Sequence, residues 1–452
     1  MSTYGFSAGG FVDSNCCVKE FHMSAEDILA RQKEFLFPCV ANYYEEPVVI
    51  TKAKGTYVED VRGTKYLDFF GGILTVSLGH CQDQVVEAVQ KQMAELGHTS
   101  TLYATQNQVD VAEIMAKISP GDLKKSFFTS SGTEADETAL LLAKIHTGQT
   151  EIIALRHCYS GRSLMAINLT AHSNWRLQGS QVPGIKHGMS PNCYRCPMGL
   201  EYPSCGIRCA TDLEELIQTE TNGSPAAFIA EPIQGVGGFI TPPKEYFEVA
   251  VGIIRKYGAL FVCDEVQTGF GRTGDKWFGI EHWGIEPDIM TMAKGIANGM
   301  PVGATIAKEE IANSFTGLSL ATYGGNPVSM AATKATLETM DDENVPERAG
   351  RLGRILRERL EEFKDKYEAI GDVRGMGLMQ AIEFVKDRKS KEPDPAMTVR
   401  FMEAAKKHQL LIGKGGRWGN VLRIAPPMLI SETELKDGIE IIDKALAEVC
   451  GN

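Results

Sequence analysis

Between about residues 100 and 310, short runs of β-branched and apolar residues alternate with longer amphipathic stretches. Runs at 126–129, 152–155, 226–230, 259–263, 289–293 and 304–307 predict strands, and stretches such as 133–145 and 244–257 predict helices between them. Strands that are apolar throughout and separated by helices predict a parallel sheet covered on both faces. Right-handed crossovers then bring every strand's C-terminal end to one edge, where open α/β sheets bind their ligands.

The pattern changes after about residue 335. A long charged helix is predicted over 348–367, with Leu352, Leu356, Leu360 and Phe363 on one stripe. A strand at 378–384 and a helix around 398–407 follow. Near the other end, 48–69 reads as strands joined by turns at Gly55 and Gly63. These readings divide the chain into a tail at 1–23 expected to lack structure, a large domain at 76–335, and a smaller α+β domain built from 24–75 and 336–452. The expected fold class is α/β, with a mostly parallel central sheet.

Composition narrows the partners. Of 452 residues, 43% are hydrophobic and 23% charged, the balance of a globular protein. A formal net charge of −12 argues against nucleic acids and anionic membranes, which attract basic surfaces. No run approaches the roughly 18 apolar residues of a membrane helix. The first 21 residues lack the basic start and apolar core of a signal peptide, and their acids (Asp13, Glu20) make them a poor transit peptide. A cytoplasmic location is therefore expected, with the 11 cysteines mostly reduced. Cys16 and Cys17 are candidates for lipidation, against the plainer reading of a tail.

Three stretches carry chemistry. After the strand ending at Thr129, the small residues Ser130, Ser131 and Gly132 open a helix near Thr133. A helix N-terminus presents unpaired N–H groups and the positive end of a dipole, which suits a phosphate, although the same residues also serve as an ordinary cap. A second apolar strand delivers Asp264, Glu265 and then Gln267 to the ligand edge. A carboxylate there can bind metal, act as a base or pair with a cofactor cation. A third strand ends at Lys294, followed by a glycine-rich turn. Lysine is costly to bury as a cation, and at a core strand's end a Schiff base with a carbonyl cofactor competes with a plain surface lysine.

Taken with further motifs, these stretches resemble the class III aminotransferases of the fold-type I pyridoxal-phosphate enzymes. The motifs are Tyr66–Leu67–Asp68–Phe69, Ser131–Gly132–Thr133–Glu134–Ala135, Glu231–Pro232–Ile233–Gln234–Gly235, Asp264–Glu265–Val266–Gln267–Thr268–Gly269, Lys294 and Tyr323–Gly324–Gly325–Asn326–Pro327. Within the class, CYRCPMGLEYPSCG, EPIQGVGGFITPPKEYF and KWFGIEHWGIEPDIMTMAKG are most similar to the alanine–glyoxylate aminotransferase 2 branch.

The resemblance implies pyridoxal 5'-phosphate as cofactor, held by Lys294 as a Schiff base, with Lys294 also carrying the substrate's α-proton. It implies that Asp264 pairs with the cofactor's ring nitrogen and Gln267 bonds near its 3-oxygen. Tyr159 would stack on the ring, and Ser131, Gly132 and Thr133 would cradle the phosphate. Thr322 would reach the phosphate of a partner subunit, making the protein a homodimer, or a tetramer of paired dimers. Glu231 would order the surroundings of Asp264, and Arg423 would grip the substrate carboxylate. No metal is implied. Mitochondria are the location the family brings as an alternative to cytoplasm.

Some residues depart from the family's pattern. Ser160 stands where histidine commonly follows the stacking aromatic, and Gln82–Asp83 replaces His–Pro. Branches acting on ornithine or 4-aminobutyrate carry a glutamate where this chain has Val236. The expected reaction is therefore transfer of an amino group from alanine or a β-amino acid to pyruvate or glyoxylate, in two ping-pong half-reactions. The rivals are a phospholyase of the same family and a catalytically silent member; Lys294, Asp264 and Arg423 together argue against the latter. Cys193, Cys196, Cys205 and Cys209 have a spacing compatible with zinc, but Pro197 and Pro203 favour a rigid loop of packed cysteines. His80, His157 and His172 are expected to be structural, and Trp277 and Trp283 to belong to the core.

Overall fold

The computed structural model describes residues 23–176 and 182–451. The expected tail, apart from Met23, and the cysteines Cys16 and Cys17 lie outside the described residues. In chain order the strands are β1 (Ile50–Lys54), β2 (Tyr57–Asp60), β3 (Lys65–Asp68), β4 (Leu123–Thr129), β5 (Ile152–Leu155), β6 (Ile185–Gly188), β7 (Ala227–Ala230) and β8 (Leu260–Asp264). They continue as β9 (Ile289–Met292), β10 (Gly303–Lys308), β11 (Ile370–Met376), β12 (Met379–Asp387), β13 (Glu392–Pro393), β14 (Leu410–Leu411), β15 (Gly413–Gly415) and β16 (Val421–Ile424).

The large central sheet has the order β4-β10-β9-β8-β7-β5-β6. It is mostly parallel, as expected, with one exception: β10 runs antiparallel to both β4 and β9. The cause is the link from β9 to β10, residues 293–302, which is too short for the crossover a parallel neighbour requires. As a result the N-terminal end of β10 shares an edge with the C-terminal ends of β4 and β9: Gly303 lies opposite Thr129, and Ala304 opposite Met292. The edge strand β6 was absent from the sequence reading. Its Ile-Lys-His-Gly run is polar and half-buried, so no apolar pattern marks it.

Strands β5, β7 and β9 are buried at every position, as continuous apolar runs require. The helix Tyr246–Lys256 covers one face, packing Phe247 against Phe261 of β8. The predicted stripe on helix Val345–Lys366 holds: Leu352, Leu356, Leu360 and Phe363 are all buried.

The strands β1, β2 and β3 form the expected antiparallel meander, turning at Gly55 and Gly63, where φ is 58° and 81°. Strand β14 adds to β3 in parallel, Leu410 opposite Leu67, so segments from both ends of the chain share a sheet. A third sheet, β11-β12-β16-β15, follows the long helix.

Candidate active site

A cavity of about 330 Å³ opens at the edge where β4, β8 and β9 end. Ser131, Gly132, Thr133, Tyr159, Glu231, Asp264, Gln267 and Lys294 all line it. The topology explains the convergence, since each residue sits at or just beyond the C-terminal end of a strand.

The helix Gly132–Thr147 begins at the cavity wall. Ser131 is its N-cap and accepts from Glu134 N at 3.3 Å. The N–H groups of Gly132 and Thr133, ahead of that capped position, belong to the unsatisfied first turn. The walls are close enough that glycine is needed where the chain bends: a Cβ on Gly161 would stand 1.8 Å from Thr133 Oγ1, and one on Gly235 2.2 Å from Gln267 Nε2.

Three buried carboxyl groups crowd the floor. Asp264 accepts from Val266 N at 3.0 Å, and burial pushes its pKa up to about 6 against the favourable influence of Lys294. Glu231 accepts from Tyr159 N (3.1 Å) and Gly235 N (2.8 Å), tying two cavity loops together. Burial, then repulsion from Asp264, pushes it up to about 8. Asp136, one turn into the helix, is raised well above the usual carboxylate range by the same two causes.

Lys294 opens the turn after β9 with φ at 47°, a left-handed conformation that costs a side-chain-bearing residue about 1 kcal/mol. Desolvation lowers its pKa against the pull of Asp264 and Glu231. Among the described residues no ion pair holds its amine, leaving it free for covalent or proton-transfer work.

Arg423, on β16, is 4% exposed. Its Nε donates to Lys414 O at 3.0 Å, and its guanidinium lies 4.8 Å from the centre of the Phe70 ring and 5.8 Å from that of Phe239. Its Nη1 is buried without a hydrogen-bond partner. Desolvation lowers its pKa, with Tyr43 beside it and Glu231 within electrostatic reach.

The class III aminotransferase profile matches residues 39–446. The chain belongs to the class III aminotransferase family. It is 43% identical over 427 residues to the alanine–glyoxylate aminotransferase 2 homolog 2, mitochondrial, of Arabidopsis thaliana, spanning 94% of this chain and 88% of that one. It is 36% identical to the human mitochondrial alanine–glyoxylate aminotransferase 2 over 93% of this chain and 86% of the relative. A leucine/methionine racemase of Thermococcus litoralis is 35% identical, covering 94% and 96% of the two chains. Among solved structures, a Bacillus anthracis aminotransferase superposes with a TM-score of 0.88 at 31% identity, covering 94% of this chain and all of that one.

This aminotransferase has the fold-type I architecture, and its cofactor is pyridoxal 5'-phosphate. The cavity fits that group by what it leaves unsatisfied. Gln267 Oε1 is buried without a hydrogen-bond partner, the first-turn N–H groups point to an anion, and Lys294 offers an amine.

Two expected residues do not line this cavity: Arg423, which acts on Lys294 only through its charge, and Thr322. Thr322 lies on an exposed stretch beside Leu318, Leu320 and Tyr323. His80, His157 and His172 do not line the cavity, and His80 is paired with Asp68 at 2.8 Å. Trp283 packs against the core and donates to Pro243 O at 3.1 Å, and Trp277 packs there too. Cys193, Cys196, Cys205 and Cys209 line one small pocket, although among the described residues no three such side chains are grouped to hold a metal ion.

Sequence reasoning missed Asp136, Arg162 and Tyr43. Asp136 carried a readable signal, an acid at the head of the stripe Ala139, Leu140 and Ala143, all buried. Arg162 lines the cavity and Tyr43 flanks Arg423, but each sits in irregular chain where no periodicity exists to be broken.

Proposed function

We propose that this aminotransferase moves an amino group from alanine or a β-amino acid to pyruvate or glyoxylate, in two ping-pong half-reactions. The observation that carries the reading is Arg423, a buried guanidinium with a free Nη1 and, among the described residues, no carboxylate partner. An unpaired buried cation is costly, so a site of this kind favours a ligand that brings its own carboxylate. Val236 lies beside it: Val236 O accepts from Gly416 N at 3.0 Å, and Gly415 abuts the Arg423 side chain. Valine carries no charge to mask the guanidinium in either half-reaction.

When bound, the cofactor supplies a carbonyl that takes the substrate amine and a ring that withdraws electrons from the α-carbon. Lys294 takes the α-proton at Nζ and returns it, and its lowered pKa leaves a share of neutral amine for that task. Asp264 would supply the negative charge that pairs with the ring nitrogen. Tyr159 would stack on the ring, Gln267 would hydrogen-bond near the 3-oxygen, and Ser131, Gly132 and Thr133 would hold the phosphate. Glu231 orders the loops around Asp264. Thr322 serves a second copy of the chain, so the active unit is a homodimer; its exposed apolar neighbours Leu318, Leu320 and Tyr323 suit burial in such a contact.

The test is a panel of amine donors with pyruvate and glyoxylate as acceptors, reading oxo-acid consumption, free phosphate and product chirality in parallel. Oxo-acid turnover with alanine or a β-amino acid is expected. Phosphate release without an acceptor would make the enzyme a phospholyase. Interconversion of enantiomers without an acceptor would make it a racemase, as the Thermococcus litoralis relative is named.

A further inference from the structure

Asp136 is the acid that the reaction as proposed does not use. It is 1% exposed, lines the cavity, and accepts from Thr291 Oγ1 at 2.7 Å. Strands β8 and β9 run parallel with Asp264 in register with Thr291. Residues in register on adjacent parallel strands put their side chains on the same face of the sheet. The Thr291 hydroxyl and the Asp264 carboxyl therefore emerge side by side, and the helix Gly132–Thr147 lays Asp136 onto the same patch.

The groups that act on Asp136 are Asp264 from β8, Glu231 beyond β7, Lys294 beyond β9, and the neutral Thr291 hydroxyl. Two buried carboxyls so placed, sharing one lysine with a third acid, do not both keep a charge. Asp264 accepts from a backbone N–H, Val266 N at 3.0 Å, which always donates and so favours a charged acceptor, whereas the partner of Asp136 is the Thr291 hydroxyl, which can face either form.

We infer that Asp136 is a positioning residue which stays protonated and so keeps the single negative charge of this pair on Asp264. The inference rests on the role proposed for Asp264. A neutral carboxyl gives Asp264 a polar neighbour without a competing charge. An ionised Asp136 would repel Asp264 toward its neutral form, and an apolar residue would leave Thr291 without its acceptor.

The first measurement needs no cofactor. Infrared spectra of the apoprotein at neutral pH should contain the carbonyl stretch of a protonated carboxyl that Asp136→Asn removes. If Asp136→Asn instead removes a carboxylate band, the inference is overturned. The second measurement is kinetic, on the holoenzyme. Asp136→Leu, close in volume but unable to hydrogen-bond, should lower kcat by about ten-fold or more, and Asp136→Asn should restore most of that loss. Equal rates for the Leu and Asn variants would reduce Asp136 to a space-filling role and overturn the inference. Should Asp136→Leu fail to fold, the apoprotein spectrum decides alone. Asp264→Asn is run alongside: if it turns over normally, the role of Asp264 fails first, whereas an inactive Asp264→Asn with an unchanged Asp136→Asn spectrum sinks this inference alone.

Discussion

Arg374 and Arg423 occupy the same sheet, on β11 and β16, with β12 between them, and both are buried. Arg374 Nη1 meets Glu383 at 2.7 Å and Asp372 at 2.8 Å, and its Nε donates to Gly238 O at 2.8 Å. Burial works against its charge, yet the two acids outweigh it and leave its pKa raised. Arg423 has one carbonyl, two aromatic faces, the Tyr43 side chain beside it and, among the described residues, no acid in ion-pair contact, and burial leaves its pKa lowered. A buried cation that brings its anions with it is architecture, and one left without is waiting for a ligand.

The same contrast separates consecutive acids at the end of β8. Glu265 accepts from Thr268 Oγ1 (2.5 Å), Gly279 N (2.9 Å) and Ile280 N (2.7 Å), which ties its strand end to the next turn. Asp264, whose side chain points to the opposite face, accepts one backbone N–H and otherwise faces the cavity.

The largest effect is expected at Lys294, whose amine lines the cavity with no ion pair among the described residues. Lys294→Ala should lower transamination by about 10⁴-fold or more while the melting temperature stays near that of the parent apoprotein. Borohydride reduction of the parent holoenzyme should fix the cofactor mass on the peptide containing Lys294. Finding that mass on a different lysine would remove Lys294 from the centre of the site.

Next come the paired acids. Asp264→Asn should cost ~10²-fold or more in kcat, since an amide does not balance a cationic ring nitrogen, with the fold intact. Glu265→Gln should show the reverse pattern, losing about 1–3 kcal/mol of stability because an amide presents one acceptor oxygen to three donors. Similar effects of both changes on both readouts, by denaturant titration and steady-state kinetics, would dissolve the distinction.

The arginines follow. Arg374→Met leaves Glu383 and Asp372 facing each other with less compensation and should cost about 3–5 kcal/mol of stability. Arg423→Met leaves no anion stranded, so stability should hold, while kcat/KM for alanine falls ~100-fold. An Arg423→Met enzyme that is unimpaired on alanine would end its assignment to the substrate carboxylate.

Most of this arrangement was legible in the residue order because it depends on strand ends. The apolar runs leading into Asp264 and Lys294 foretold where those side chains emerge, and the small residues before Thr133 foretold a helix opening. The direction of β10 was not legible from apolar pattern, since hydrophobic periodicity is blind to strand polarity; the length of the 293–302 link held that information. Arg423 came from family likeness, because nothing local distinguishes it from Arg374: both are arginines in short strands, and only the three-dimensional neighbours decide which has acids. Asp136 was written on a helical stripe, but an acid at its head reads as the start of the polar face until that stripe is known to pack on the sheet.

The smallest expected effect is the sharpest test of the comparison, because it turns Arg423 toward the condition of Arg374. Val236 is buried beside Gly415 and Arg423, and its carbonyl already accepts from Gly416 N at 3.0 Å. Val236→Glu would place a carboxylate where it can pair with the guanidinium, using the Nη1 that is now unpartnered. Substrate carboxylates would then compete with an internal one. KM for alanine and for pyruvate should rise about ten-fold, with kcat changed less, because the reacting atoms near Lys294 are not touched. Donors whose carboxylate lies farther from the amine, such as 4-aminobutyrate, should lose less, so the ratio of the two activities shifts toward them. Val236→Gln, of similar size and without charge, separates pairing from crowding. If Gln raises KM as much as Glu does, the change acts by bulk. If Glu leaves KM for alanine untouched in a folded enzyme, Arg423 is not the group that reads the substrate's carboxylate.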